Sequence, residues 1–207
     1  MNTNLELARD NMVENQIRTW DVLDPRVLDV LGRLQRENFT PERYRHMAFM
    51  DVELPLGHGE VMLKPIIQGR ILQALAIENG QRVLEIGTGC GYQAAVLGRL
   101  AREVYSIERL RGLHEKARDN LRHLRLANVH LLFGDGMQGY AKGAPYAAII
   151  AAAGGEAVPQ AWCDQLALGG RLVAPMALAG GQQVLLVIDK TAHGLKQSVL
   201  EPVHFVP

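Results

Sequence analysis

Glu85, Gly87, Gly89 and Gly91 stand at alternate positions in the run Val83-Leu84-Glu85-Ile86-Gly87-Thr88-Gly89-Cys90-Gly91-Tyr92. An apolar strand meets an acid, three glycines follow, and an apolar helix begins. Glycine permits a sharp turn at positive φ and leaves room for a ligand where a Cβ would stand. Such a loop suits a nucleotide-like group lying against a helix N-terminus. The spacing narrows the chemistry. A dinucleotide loop of the form G-x-G-x-x-G needs its third glycine where this chain has Tyr92. The Gly-Lys-Ser/Thr ending of a P-loop is absent.

Glu85 argues against a pyrophosphate as well, because its carboxylate repels one. A carboxylate just before the first glycine suits a cationic ligand group. S-adenosylmethionine carries one, an α-amino group beside a sulfonium. Two further acids agree. Val104-Tyr105-Ser106-Ile107-Glu108 reads as a second strand closing on a carboxylate. Glu108 lies 21 residues after Gly87, about where doubly wound folds place the acid that binds ribose hydroxyls. A third apolar strand, Val129-His130-Leu131-Leu132-Phe133, leads into Gly134-Asp135-Gly136, and Asp135 can accept from an adenine amino group. Singly, each acid reads as a cap or turn residue. At the ends of three successive strands they form a constellation, because open α/β sheets bind ligands there.

The pattern along the chain supplies the elements that must position these groups. Strands are predicted near 82–86, 103–107, 129–133, 147–152, 170–175 and 182–188, with a last one near 198–206. Helices are predicted at 91–100, 110–124 and 159–166. This alternation predicts a mostly parallel sheet covered on both faces. A turn at Gly180-Gly181 precedes strand 182–188, and the turn at His193-Gly194 makes an antiparallel hairpin with the tail. Ahead of the sheet, 5–19 reads as an amphipathic helix with Leu5, Ala8, Met12 and Ile17 on one face. A second helix runs over 25–34 with Asp24 as N-cap and Pro25 first in the helix. Pro41 opens a short third one. Residues 51–65 read as irregular, broken by Pro55, Gly57, Gly59 and Pro65, and a helix follows over 65–77.

Composition bounds the rest. The 207 residues suit one large domain or one domain with an N-terminal extension, and 48% hydrophobic residues suffice for a sizeable core. Lys plus Arg equals Asp plus Glu at 22 each, so no global charge points to nucleic acid or a membrane surface. The basic residues at 118–125 fall at helical spacing and read as a solvated face. Two cysteines, Cys90 and Cys163, suggest no disulfide framework and a reducing cytoplasm. Cys90 reads as a small packing residue. The first ten residues are too polar for a signal peptide, and no apolar stretch is long enough to span a bilayer. The histidines lack metal-ligand spacing, so no metal is expected. The sequence sets no oligomeric state.

Several segments together resemble the protein-L-isoaspartate O-methyltransferases. They are Met12-Val13-Glu14-Asn15-Gln16-Ile17, Arg36-Glu37-Asn38-Phe39-Thr40-Pro41-Glu42-Arg43-Tyr44, and Glu53-Leu54-Pro55-Leu56-Gly57-His58-Gly59. The glycine run through Leu97 and the end Pro202-Val203-His204-Phe205-Val206-Pro207 are similar too. The resemblance implies an α/β, Rossmann-like class I methyltransferase fold, with a mostly parallel seven-stranded sheet, an antiparallel C-terminal hairpin and an N-terminal helical extension. It implies one domain over 1–207, with helices and an acceptor loop in 1–64 and the Rossmann-like core in 65–207. Carried over, Glu85, Gly87, Thr88, Gly89 and Gly91 hold the methionine part of S-adenosylmethionine, Glu108 the ribose, and Asp135 with Gly136 the adenine. The implied reaction methylates the free α-carboxylate of isoaspartyl residues in damaged proteins, and the ester then closes to a succinimide.

The chain departs from that family in the acceptor loop. The family's Thr-x-Ser-x-Pro reads here Val61-Met62-Leu63-Lys64-Pro65. Both hydroxyl positions are apolar, and His58 and Lys64 are the nearby groups that could compensate by charge. Ala147 replaces a common Asp, and Ala151-Ala152-Ala153-Gly154-Gly155 offers a small-residue floor. Three readings stay open. One is isoaspartyl methylation with a modified pocket using His58, Val61, Met62, Leu63 and Lys64. Another is a paralogue acting on a more apolar small-molecule acceptor. The third is a module that binds S-adenosylmethionine without catalysis.

Overall fold

The computed structural model describes residues 3–152, 154–178 and 182–203. Ala153, the Gly180-Gly181 turn and the end of the tail, 204–207, lie outside them. Among the described residues, seven strands form one sheet: β3 (Arg82–Ile86), β4 (Glu103–Glu108), β5 (Val129–Phe133), β6 (Tyr146–Ala151), β7 (Leu166–Ala177), β8 (Gln183–Thr191) and β9 (Gly194–Val203). Their order is β5-β4-β3-β6-β7-β8-β9. The β3–β4, β4–β5, β3–β6 and β6–β7 pairs are parallel, and β7–β8 and β8–β9 are antiparallel. The expected parallel sheet with an antiparallel end is therefore present. The order in which successive strands are added reverses between the parallel neighbours β3 and β6, which opens a crevice beyond their carboxyl ends.

β7 begins earlier than the 170–175 expected. Its first part pairs Tyr146 with Leu166, and the register shifts before Ala148 meets Arg171. Gly169, at φ 79°, stands inside that stretch, so its residues read as a turn in sequence. Residues 51–65 also differ from expectation. They hold a short hairpin of β1 (Leu54–Gly57) and β2 (Glu60–Met62), turned by Gly57, His58 and Gly59, all at positive φ.

The first helix, α1 (Thr3–Asn11), continues into a π-helical segment, Met12–Ile17, and a 3-10 turn, Arg18–Trp20. Met12 and Ile17 are five residues apart, and the wider π turn puts both, with Val13, into the core. Helix α2 (Pro25–Arg33) has the expected cap: the Asp24 carboxylate accepts from the Arg26 amide. Helix α3 (Pro65–Leu75) packs beneath these segments, and α4 (Tyr92–Leu100), α5 (Arg111–Arg122) and α6 (Gln160–Gln165) complete the layers.

Gly91 shows why the glycine run cannot be altered freely. It caps α4 at φ 85°. A Cβ there would stand 3.2 Å from Ala117 Cβ and 3.3 Å from Ala117 Cα on α5. Gly91→Val combines left-handed strain with overpacking, and urea unfolding should show a loss of about 2–4 kcal/mol. Gly134→Ala is the control: nothing lies within 4 Å of its would-be Cβ, so its loss stays below about 1 kcal/mol.

Candidate active site

The carboxyl ends of β3 to β7 enclose a cleft of about 490 Å³. Gly87 and Gly89 edge it, at φ 91° and 57°. The loop is pinned from three sides. The Gly87 amide donates to Ile107 O at 2.9 Å, the Gly91 amide to Thr88 O at 2.9 Å, and Asn120 Nδ2 on α5 to Cys90 O at 2.9 Å. Asn120 is buried and gives no signal in the sequence beyond an amide on a helix.

Glu108 closes β4 at the cleft wall. It is buried, and both of its oxygens are held: Gly89 N–H donates to Oε2 and Leu110 N–H to Oε1, each at 2.9 Å. The acid of the second strand thus shapes the glycine loop as well as facing the cleft. Asp135 accepts from the Met137 amide at 3.0 Å, and its neighbour Gly136 lines the cleft with it. Trp162 Nε1 donates to Gly136 O at 2.8 Å, fixing the far wall from α6. Ile86, Ile107, Leu113, Met137 and Trp162 supply apolar faces.

A smaller chamber of about 40 Å³ lies beside the cleft. Val61, Gly87, Gly89 and Ala152 line both spaces. Glu85 and Thr88 line only the smaller one. Glu85 is fully buried, so it does not share the open cleft with Glu108 and Asp135. Ser106 Oγ donates to its Oε2 at 2.5 Å, and Thr88 Oγ1 lies 2.6 Å from Ser106 Oγ. With Ser106 donating to Glu85, Thr88 must donate to Ser106. Glu85 Oε1 has no hydrogen-bond partner among the described residues. Burial pushes this carboxyl up to about 8, against the opposing pull of the Ser106 hydrogen bond and of the nearby Gln93 side chain. Ser106 looked like an ordinary strand residue in the sequence.

The remaining expected residues are dispersed. Gly91 lines neither space; it serves the α4–α5 contact. Met62 and Leu63 line the smaller chamber but are largely built into the core. His58 is exposed at the hairpin tip, with its Nε2 3.1 Å from where a Cβ on Gly112 would stand. Lys64 lines neither space. The cation at the cleft is Arg109, which sequence reading missed. Its Nη2 lies 3.8 Å from Glu60 Oε1 on the hairpin, and both residues line the cleft. Burial raises the Glu60 carboxyl, and Arg109 opposes that rise. Cys90 is buried, with its thiol pushed up by burial, as a packing residue should be.

The donor set fits S-adenosylmethionine. The described cleft residues include Glu60, Glu108, Asp135 and Glu156 against Arg109 alone, so the rim favours a cation and disfavours a phosphate. The volume is in the range of nucleoside-sized ligands. No group of three or more His, Cys, Asp or Glu among the described residues is arranged to hold a metal.

The profile of Protein-L-isoaspartate(D-aspartate) O-methyltransferase (PCMT) matches residues 7–207. The chain belongs to that family. A Leptothrix cholodnii protein named protein-L-isoaspartate O-methyltransferase is 50% identical over 96% of this chain and 72% of its own length. One of the same name from Methylibium petroleiphilum is 49% identical over 97% of this chain and 77% of its own length. One from Burkholderia vietnamiensis is 48% identical, and the chain covers 66% of it. A solved structure titled protein-L-isoaspartate O-methyltransferase superposes with a TM-score of 0.86 at 26% identity, over 96% of this chain and 65% of that one. A Plasmodium falciparum structure, a putative family member in complex with S-adenosyl-L-homocysteine, gives a TM-score of 0.81 at 20% identity, over 96% of each chain. That likeness shows the shared fold. Among the described residues, no helix is long and apolar enough to cross a membrane.

Proposed function

We propose that this chain is an S-adenosylmethionine-dependent carboxyl O-methyltransferase acting on the α-carboxylate of isoaspartyl residues in proteins and peptides. The observation that carries this reading is the junction of the two spaces at Val61, Gly87, Gly89 and Ala152. It joins an acid-rimmed, glycine-edged cleft to the acceptor hairpin. Family membership supports the same reaction. We read 1–207 as one such unit, with 1–64 carrying the acceptor loop. Two buried free thiols suit a reducing cytoplasm.

When bound, S-adenosylmethionine supplies a methyl group already activated by its sulfonium. The acceptor is ionised at neutral pH, so no residue has to remove a proton. The protein's task is to align the reacting groups and exclude water. Gly87 and Gly89 allow close approach along the loop. Glu108 binds ribose hydroxyls while holding the loop in shape, and Asp135 and Gly136 meet the adenine. The hairpin covers the junction from the other side. Arg109 is the cation that can leave Glu60 for an acceptor carboxylate, a bidentate role that suits a guanidinium. The apolar Val61, Met62 and Leu63 support a second reading, a more apolar acceptor at the same junction.

Labelled methyl transfer to an isoaspartyl peptide tests the first reading. A carboxyl ester should release the label as methanol in mild alkali; label that stays bound would mean another kind of acceptor. Val61 is partly buried and lines both spaces, and Val61→Thr is nearly isosteric. It should raise kcat/KM on that peptide roughly tenfold, by adding one hydrogen bond to a charged group. Leu63→Ser should instead cost about 2–4 kcal/mol of stability, because Leu63 is only 9% exposed.

A further inference from the structure

Arg36 is 1% exposed, and its guanidinium reaches three separate segments. Nε donates to Ala48 O at 2.8 Å, Nη2 to Leu63 O at 2.7 Å, and Nη1 to Gln68 Oε1 on α3 at 2.8 Å. Its Cζ lies 5.0 Å from the centre of the Tyr92 ring. All three acceptors are neutral. Asp51 acts on it through space, but no carboxylate is among its hydrogen-bond partners in the described residues. A buried cation held without a bonded counter-charge is costly for stability alone.

The contacts give that charge a purpose. Ala48 and Leu63 flank the hairpin β1–β2, one on each side. Holding both carbonyls with one planar fork fixes the hairpin's root. The hairpin in turn rests on the glycine loop: Leu56 Cδ1 is 3.3 Å from where a Cβ on Gly89 would stand. Gln68 extends the link, with Nε2 donating to Gln93 Oε1 on α4 at 3.5 Å. Gln68 and Gln93 are buried and line the small chamber beside Glu85.

We propose that Arg36 is a positioning residue that clamps both ends of the β1–β2 hairpin and so sets where Val61 stands against the cleft and Leu63 against the smaller chamber. It rests on reading that hairpin as the acceptor loop. Lysine keeps the charge but cannot span two carbonyls and an amide in one plane.

Arg36→Lys should loosen the hairpin and spare the sheet. Amide hydrogen exchange of the ligand-free protein should rise at least about tenfold over 52–63, with β3 and β4 unchanged. S-adenosylhomocysteine binding, read by calorimetry, should stay within about threefold. On an isoaspartyl peptide kcat/KM should fall roughly a hundredfold, mostly through KM. Gln68→Met removes one of the three acceptors and should move hairpin exchange the same way by less. Unchanged hairpin exchange in both variants overturns the proposal, as does exchange rising evenly across β3, β4 and the hairpin. The exchange arm does not need turnover. Loosened hairpin amides in a protein that never methylates the peptide would sustain the clamp and overturn the isoaspartyl reading.

Discussion

Glu108→Ala should weaken S-adenosylhomocysteine binding by roughly a hundredfold or more. Glu108 does two jobs with one carboxylate. It faces the cleft, and it accepts from the amides of Gly89 and Leu110. Hydrogen bonds to a charged acceptor are worth about 1.5–3 kcal/mol each. Alanine removes both, leaves two part-buried amides without these partners, and takes away the acceptor proposed for ribose hydroxyls. The loop then has to be ordered by the ligand, which subtracts from affinity. Glu108→Gln keeps one carbonyl oxygen but turns an amide donor towards one of the two N–H groups, so its loss should be intermediate. Calorimetry gives the affinities, and circular dichroism checks that each variant is folded. Affinity within threefold of the parent for Glu108→Ala would mean that the cleft binds its ligand elsewhere.

Stability of the ligand-free protein should fall as pH rises from about 5 to about 8, and Glu85 is the reason. Its carboxyl titrates at 4.5 when free and is pushed up to about 8 by burial in the fold. Between those values the native state holds a proton that the unfolded chain has lost, so raising the pH favours unfolding. The contribution is fully present below the unfolded value and is gone once pH passes the folded one. The groups facing Glu85 are few: Ser106 donates to it, the nearby Gln93 side chain also favours the ionised form, and Glu108 disfavours it. The expected loss is of the order of a few kcal/mol. Glu85→Gln replaces the proton by a permanent neutral amide and should flatten that slope. Urea unfolding of both proteins at several pH values reads it directly. Equal slopes would show that Glu85 is already ionised inside the fold.

Much of this site is legible in the sequence because strand ends announce it. The apolar runs before Glu85, Glu108 and Asp135 mark three neighbouring strands, and the glycines after Glu85 mark the turn from β3 into α4. Other parts depend on packing that periodicity does not report. The hairpin at 54–62 is too short, and too broken by Pro55, Gly57 and Gly59, to show alternation. Ser106, Asn120 and Trp162 hold the loop and the walls through side-chain hydrogen bonds to partners 21, 30 and 26 residues away. Arg36 looks in sequence like any surface arginine, since nothing local reveals that three carbonyl-type oxygens converge on it. His58 and Lys64 are charge-capable and close in sequence to the acceptor loop, yet the hairpin turn carries His58 outwards and Lys64 precedes α3 away from both spaces. Glu85 was legible as an acid near the end of β3, but its burial beneath Ser106 was not.

The most direct test is turnover. Methyl transfer from labelled S-adenosylmethionine should be followed on an isoaspartyl peptide and on its normal aspartyl twin, with S-adenosylhomocysteine binding checked in the same preparation. The account predicts cofactor-product binding together with turnover on the isoaspartyl peptide alone. Tight binding with no turnover on either peptide would contradict it, and would place the true acceptor among groups that suit Val61, Met62 and Leu63.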